Sequence, residues 1–458
     1  MFGAIVAVLF VLGAVAAVVR PQYALLFIVL LFPAKQLLQA SITALQTQGQ
    51  LVNMAAGMVV LGAVGSLVMA KQDFLRGYWQ GATACIALLY LQTLVGTIYT
   101  PSRDAAFFFL NQLWPYALLL LVGMPLLATR LENFRRILVP LLVTGSLVSL
   151  MIIFNPAART YAGRLMLELG RDYRGVSYGN PLATAELGGM LMITASVMRT
   201  PRSAVLMLVR LVALVCGVYL AFATGSRGQV VFMFVTVALV IPISYNLKGF
   251  GGMLGVLMGG GLMLGTVYMV LGLLDPTSGG RWTEAALSEG VASRVGPVLA
   301  TLEMFVKSPL NYFTGLGTSA FNAVNSYYAS GDGNYQYPHN LIVETLTEQG
   351  LVGFGLLIGA CWSTFRWSRR AAVLYTDHAE ARGAIAVLLG MSVYAFLLAA
   401  KQGSLISLPT YFGWMILTAK ICKAEVSLAQ EQAARTTEHD AEHADAVESD
   451  DHGNLAAA

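Results

Sequence analysis

The sequence predicts an all-α polytopic membrane protein with about 12–13 transmembrane helices. Three observations carry that prediction. The 458-residue chain is 57% hydrophobic and only 11% charged, with a mean hydropathy of +0.68; a soluble protein carries about 25% charge. Its apolar residues fall in runs of about 18–25, enough to cross ~30 Å of hydrocarbon. Lysine and arginine crowd the short connections on one side. Without water at the bilayer core, such runs must satisfy their own backbone, which helices do.

Thirteen runs are read, at 2–19, 22–40, 51–70, 78–97, 105–128, 137–154, 181–198, 203–223, 230–246, 250–274, 340–365, 383–400 and 404–421. Pro21 divides the first two, and Pro33 and Lys35 interrupt the second, so one of them reads equally as a half-span. No basic stretch precedes Phe2–Val19, so a cleaved leader is not expected. Orientation follows the basic residues. Fifteen lie in one set of short connections, from Arg20 through Arg130, Arg135 and Arg136 to Lys420 and Lys423. That side is expected to be cytoplasmic. The other side holds ten, mostly in longer loops that count less. Two of those loops stand out. Residues 155–180 carry four arginines, and residues 275–338 form a 64-residue loop between the tenth and eleventh runs. Loops that long inside a compact protein are usually functional.

The body, residues 1–423, holds 27 basic and 15 acidic residues, a net charge of +12. Much of that charge lies at span ends, so membrane lipids, not nucleic acid, are the expected partner. Residues 424–458 differ in kind, with nine acids against Arg435, and read as a disordered acidic cytoplasmic tail. Its histidines, His439, His443 and His452, read as solvated. Cys85, Cys216, Cys361 and Cys422 lie in or beside apolar runs, so no structural disulfide is expected. No Cys/His spacing suits a metal, and no phosphate-binding glycine loop occurs, so no cofactor is expected. Internal repeats are absent, which weakens a secondary-transporter reading.

The candidate site gathers on the non-cytoplasmic side. His339 lies in Pro338-His339-Asn340, where the long loop meets the eleventh run, and proline is tolerated at a first helical turn. A positive helix end disfavours imidazolium, which suits a neutral, proton-accepting imidazole. A surface histidine beside a helix cap fits the same residues. Arg227 sits in Thr224-Gly225-Ser226-Arg227-Gly228-Gln229, a polar break between two runs. An arginine at membrane depth is costly unless used, and the glycines expose N–H groups to an anion; an interface arginine reaching headgroups is the plainer alternative. Arg171 and Arg174 precede the span at Pro181, with Asp172 available to pair with one of them. Arg294 lies in the long loop after Arg281. Guanidinium groups bind phosphate in bidentate fashion, so four arginines on one face would form a diphosphate clamp. Trp282, Tyr312, Phe313, Phe321, Tyr327, Tyr328, Tyr335 and Tyr337 could stack on sugars or form an interface belt.

These residues resemble the O-antigen ligase and polymerase superfamily of bacterial membrane glycosyltransferases. The family pattern His-[Asn/Ser/Gln]-x9-Gly-x-x-[Gly/Thr/Tyr] is met by His339-Asn340, nine residues, then Gly350 and Gly353. Thr224–Gly228 is similar to the family's Ser-Arg break. Ser293-Arg294, with Ser308-Pro309 and Gly315-Leu316-Gly317, resembles its periplasmic loop, and Arg174-Gly175 before Asn180-Pro181 resembles the arginine ahead of its middle spans. The likeness is good over residues 160–365.

The resemblance implies about twelve spans in the bacterial inner membrane, fewer than the thirteen runs read, with an active site facing the periplasm. It also implies metal-independent, inverting transfer of a glycan from undecaprenyl diphosphate. His339 would be the general base, and Arg227, Arg294 and Arg174 would bind the departing diphosphate. Three readings follow: a ligase acting on lipid A-core; a polymerase acting on a lipid-linked repeat unit; and a non-enzymatic lipid-glycan transporter. The third expects charges deep in the bundle. Apart from Lys35, Glu186 and Arg210, the charges sit at span ends.

Overall fold

The computed structural model describes residues 2–46, 48–70, 73–161, 163–172, 175–200, 203–247, 298–324, 338–406 and 409–455, with scattered positions between 251 and 296. Every apolar run except the tenth coincides with a helix. The run at 250–274 lies mostly outside the described residues. Helices α1 (Phe2–Val19), α2 (Ala24–Ser41), α3 (Gly49–Met69), α4 (Gly81–Tyr99) and α5 (Arg103–Ala117) come first. A π-helical turn, Leu118–Gly123, prolongs α5. Then follow α6 (Leu131–Ile153), α7 (Pro181–Val197), α8 (Ala204–Ala223) and α9 (Arg227–Tyr245). After a short α10 (Pro309–Thr314) come α11 (Leu341–Leu374), α12 (Ala379–Gln402) and α13 (Thr410–Leu455). Among the described residues, nine helices are long and apolar enough to cross a membrane, and Gly3–Val19 and Pro181–Val197 are shorter apolar helices. The chain is thus an all-α polytopic membrane protein.

The most fully buried helices are α7, α12 and the first part of α13. Small residues bring these helices close, as expected where lipid gives helices no hydrophobic reason to associate. At the α7–α8 crossing, a Cβ on Gly188 would lie 2.5 Å from the Gly217 carbonyl oxygen. Gly189 makes room for the ring of the fully buried Tyr394. Arg210, mid-way along α8, donates from Nε to the Ala195 carbonyl at 2.8 Å, which gives this intramembrane charge a partner.

The 155–180 connection is more ordered than a loop. It folds into an antiparallel sheet of β1 (Ala158–Tyr161), β2 (Arg164–Asp172) and β3 (Gly175–Tyr178), in the order β1-β2-β3. Leu165, Leu167 and Leu169 alternate with Met166 and Glu168, the period of a half-buried strand.

The segment from 424 also departs from expectation. In place of a disordered tail, α13 runs on to Leu455. Ala, Glu and Gln, all strong helix formers, dominate its sequence. Its first turns beyond 423 are packed. Glu425 is 5% exposed and accepts from the Leu131 N–H at 3.0 Å and the Tyr375 hydroxyl at 2.5 Å. Burial, then the bond to Glu425, pushes the Tyr375 phenol up from its ordinary range. Arg76 Nη1 reaches both Glu431 oxygens at 2.9 Å. The packed body therefore extends at least to Glu425, and a surface ion pair ties the helix to Arg76 at Glu431.

Candidate functional site

The site is assembled from three chain segments at one end of the bundle. The first is the start of α9. Gly225 adopts φ +62°, turning the chain between α8 and α9. Arg227 is the first helical residue and is half-buried. Its amide and that of Gly228 belong to the opening turn, where N–H groups lack intrahelical acceptors and the dipole is positive. Ser226 is 3% exposed, and its hydroxyl makes no hydrogen bond among the described residues.

The second segment is the end of α12. Lys401 lies on its last turn, and its side chain covers Gly228 so closely that a Cβ there would collide with Cδ, Cε and Nζ. The sequence suggested that Gly228 bares a backbone amide. The structure adds a second reason for glycine, since it seats a lysine. Arg227 and Lys401 thus bring two cations to one helix N-terminus, an arrangement suited to an anion.

The third segment is the start of α11. The helix begins at Leu341, so Pro338 precedes it and does not occupy its first turn. Asn340 is the cap; its Oδ1 accepts from Ile342 N at 3.0 Å and Val343 N at 3.1 Å. His339 stands just outside, exposed, at φ +53°, a left-handed conformation uncommon for a residue other than glycine. Such conformations cluster at functional sites.

Two glutamates on successive turns of α11 tie this segment to its surroundings. Glu344 accepts from Ser404 Oγ and Leu405 N, both at 2.8 Å. Glu348 accepts from Ser319 N at 2.7 Å and Phe321 N at 3.2 Å. Both are nearly fully buried, at 2% and 1% exposure. The link from His339 to Arg227 is therefore continuous: α11 binds residues 404–405, and Lys401, on the helix leading into them, covers Gly228.

Gly350 breaks α11. It adopts φ +67° and ψ −168°, and a Cβ would strike the Phe313 carbonyl. The loop after α10 crosses here. Leu316 N donates to the Thr347 carbonyl at 2.9 Å and Gly317 N to the Glu348 carbonyl at 3.1 Å. Gln92 Nε2 on α4 donates to the Gln349 carbonyl at 2.5 Å. Three consecutive carbonyls at the break thus find acceptor roles outside the helix, as buried helix ends require.

The remaining predicted arginines divide. The Arg171 backbone lies in β2, paired with Val176 beside the hairpin tip. Arg174 and Arg294 lie outside the described residues, as do Arg281 and the aromatic residues Trp282, Tyr327, Tyr328, Tyr335 and Tyr337. The hairpin joins the site through α7. Asn180 caps that helix by accepting from Leu182 N at 2.9 Å, and Gln229 Nε2 on α9 donates to the Leu182 carbonyl at 3.0 Å. Beneath, between α2, α7, α12 and α13, lies a cavity of about 190 Å³ lined in part by Gln36, Tyr116, Glu186 and Tyr411.

Lys401, Glu344 and Glu348 escaped the sequence reading as site elements. The glutamates left a trace: two carboxylates one turn apart in an apolar run are expensive unless paired. Lys401 left none beyond its charge.

The fold and the three joined segments define a polytopic membrane protein with Arg227, Lys401 and His339 gathered at one end. Residues 212–358 match the family model described as O-antigen ligase. The match contains Arg227, Arg294 and His339 and excludes Arg171 and Arg174. No curated protein matches the chain.

Proposed function

We propose that this protein is an inverting glycosyltransferase of the bacterial inner membrane. It moves a polysaccharide from undecaprenyl diphosphate to lipid A-core at the periplasmic face. One observation carries the reading: the α9 N-terminus, with Arg227 and Lys401, joins the α11 start, with His339, through residues 401–405. That pairs an anion seat with a candidate base.

In this scheme His339 takes the proton of the acceptor hydroxyl. The freed oxygen attacks the anomeric carbon from the face opposite the diphosphate. The carbon–oxygen bond to the diphosphate breaks, and its electron pair leaves on the phosphate oxygen. Arg227 and Lys401, with Arg294, Arg174 and Arg171 from the two loops, hold that developing charge, which is the electrostatic part of catalysis. No metal takes part.

The test is purified protein supplied with a lipid-diphosphate-linked glycan and, in turn, lipid A-core or a second lipid-linked unit. Transfer to lipid A-core is expected. Transfer only to the lipid-linked unit makes the protein a polymerase, and transfer to neither removes the enzymatic reading in favour of a lipid-glycan carrier. His339→Ala and Arg227→Ala should each abolish transfer while the protein still inserts. Full rate in EDTA is required; loss of activity there would overturn the metal-independent scheme.

A further inference from the structure

The sheet beside the site is two-faced. Strand pairing sets Arg159 opposite Met166, Tyr161 opposite Arg164, and Tyr178 opposite Glu168. Directly paired residues share a face, and residues two apart along a strand return to it. One face therefore carries all six of these side chains. The opposite face carries Leu165 and Leu167, and Leu167 is 1% exposed against the helices. On the outer face the Tyr161 and Tyr178 rings stack, with centroids 4.8 Å apart and planes 15° apart. Tyr161 remains 56% exposed.

A polar cleft of about 580 Å³, bounded by Ser41, Gln46, Asn155, Arg159, Glu168 and Gly170, shares Arg159 and Glu168 with this face. Its walls are braced. Asn155 Nδ2 donates to Ser41 Oγ at 3.2 Å, and Asn155 Oδ1 accepts from Ala157 N at 2.8 Å. Gly170 lets Gln46 approach so closely that a Cβ would lie 3.1 Å from Oε1. The location is also constrained. β3 leads through Asn180 to Leu182, whose carbonyl accepts from Gln229, two residues beyond Arg227.

We propose that this outer face and cleft form a carbohydrate subsite. It holds pyranose units of either the glycan being transferred or the glycan that receives it. The inference rests on the transfer reading above. A sugar presents a flat C–H face and an edge of hydroxyls. The open face of the exposed Tyr161 ring, backed by half-buried Tyr178, suits the C–H face, since aromatic rings are negative above their plane. The carboxylate of Glu168 accepts from hydroxyls, while Arg159 and the amides of Gln46 and Asn155 can donate to sugar oxygens.

The test uses full-length protein in lipid nanodiscs and saturation-transfer NMR with two lipid-free probes. One is the glycan released from its carrier by mild acid, and the other is core oligosaccharide freed from lipid A. Wild-type protein is expected to bind one of them, which identifies the source. Replacing Tyr161→Ala together with Tyr178→Ala should raise the KM for the same glycan in lipid-linked form about tenfold, with kcat within about twofold. Tyr161→Phe keeps the stack and should keep the wild-type KM. Failure of the wild type to bind either probe overturns the subsite. So does an unchanged KM in a monodisperse double variant. Binding without any transfer would instead remove the transfer reading and leave the subsite standing.

Discussion

Replacing Gly350 with alanine tests whether the break in α11 is required. Its backbone lies at φ +67° and ψ −168°, a region nearly exclusive to glycine. Holding another residue there costs about 1–3 kcal/mol. The new Cβ would also meet the Phe313 carbonyl, and it would lie 2.7 Å from Gly315 N. That contact is with backbone, so it cannot be relieved by turning a side chain. If the loop moves away, the bonds from Leu316 N and Gly317 N to the Thr347 and Glu348 carbonyls are lost, at about 1 kcal/mol each. Together these terms give about 3–5 kcal/mol, or roughly 3–5 °C in the melting temperature of a chain this long. The internal control is Gly355 on the same helix, where a Cβ meets nothing within 4 Å. Gly355→Ala should be neutral or stabilising by about 0.5–1 kcal/mol. Both variants are measured by thermal unfolding in detergent and by glycan transfer. Gly350→Ala should melt lower and transfer poorly. If it matches Gly355→Ala in both measurements, the reasoning about the break is wrong.

Gly228→Ala separates the anion seat from the fold. The atoms it would strike belong to the flexible end of Lys401, so melting should hold while the displaced ammonium raises the donor KM. Lys401→Met should do the same by about tenfold, roughly 1.4 kcal/mol. Unchanged donor KM in both would take Lys401 out of the site. At the opposite end, Glu425→Gln weakens the bonds from Tyr375 and Leu131. It should cost about 1.5–3 kcal/mol of stability with the transfer rate per folded molecule unaltered. Unchanged melting would show that this cluster is not a fastening.

How much of this was legible in the sequence depends on what fixed each feature. The bilayer forces apolar runs to be helices, so twelve of thirteen runs were readable from composition alone. The break before Arg227 was legible because the polar Gly-Ser-Arg stretch interrupts apolar sequence, and the helix does begin there. The sheet is marked in the sequence only by the alternation of Leu165, Leu167 and Leu169 within a stretch rich in arginine and glycine. Beyond 424 the charge density points to a solvated tail, and nothing local announces that Glu425 is held by Leu131 and Tyr375. Lys401 could not have been found. Its importance arises from α12 lying against α9, a packing relation between segments far apart in sequence.

The spacing between Asn340 and Gly350 can be understood mechanically. Asn340 fixes where the helix begins, and Gly350 fixes where it stops, because only there can the crossing loop reach the freed carbonyls. Between them lie nine residues, which at 1.5 Å each make a strut of about 13.5 Å. The strut carries Glu344 toward residues 404–405 and Glu348 toward residues 319–321. His339 therefore stands at a height and rotation set by the strut's length. Inserting one alanine after Thr345 would turn His339 by about 100° and lift it about 1.5 Å relative to Gly350. The insertion leaves the Asn340 cap, the Gly350 break and every charged group in the chain. If position matters as argued, transfer should be lost as completely as in His339→Ala, while Arg227 still binds the lipid diphosphate. Retained transfer would mean that the spacing serves only the fold and that His339 does not act on the acceptor.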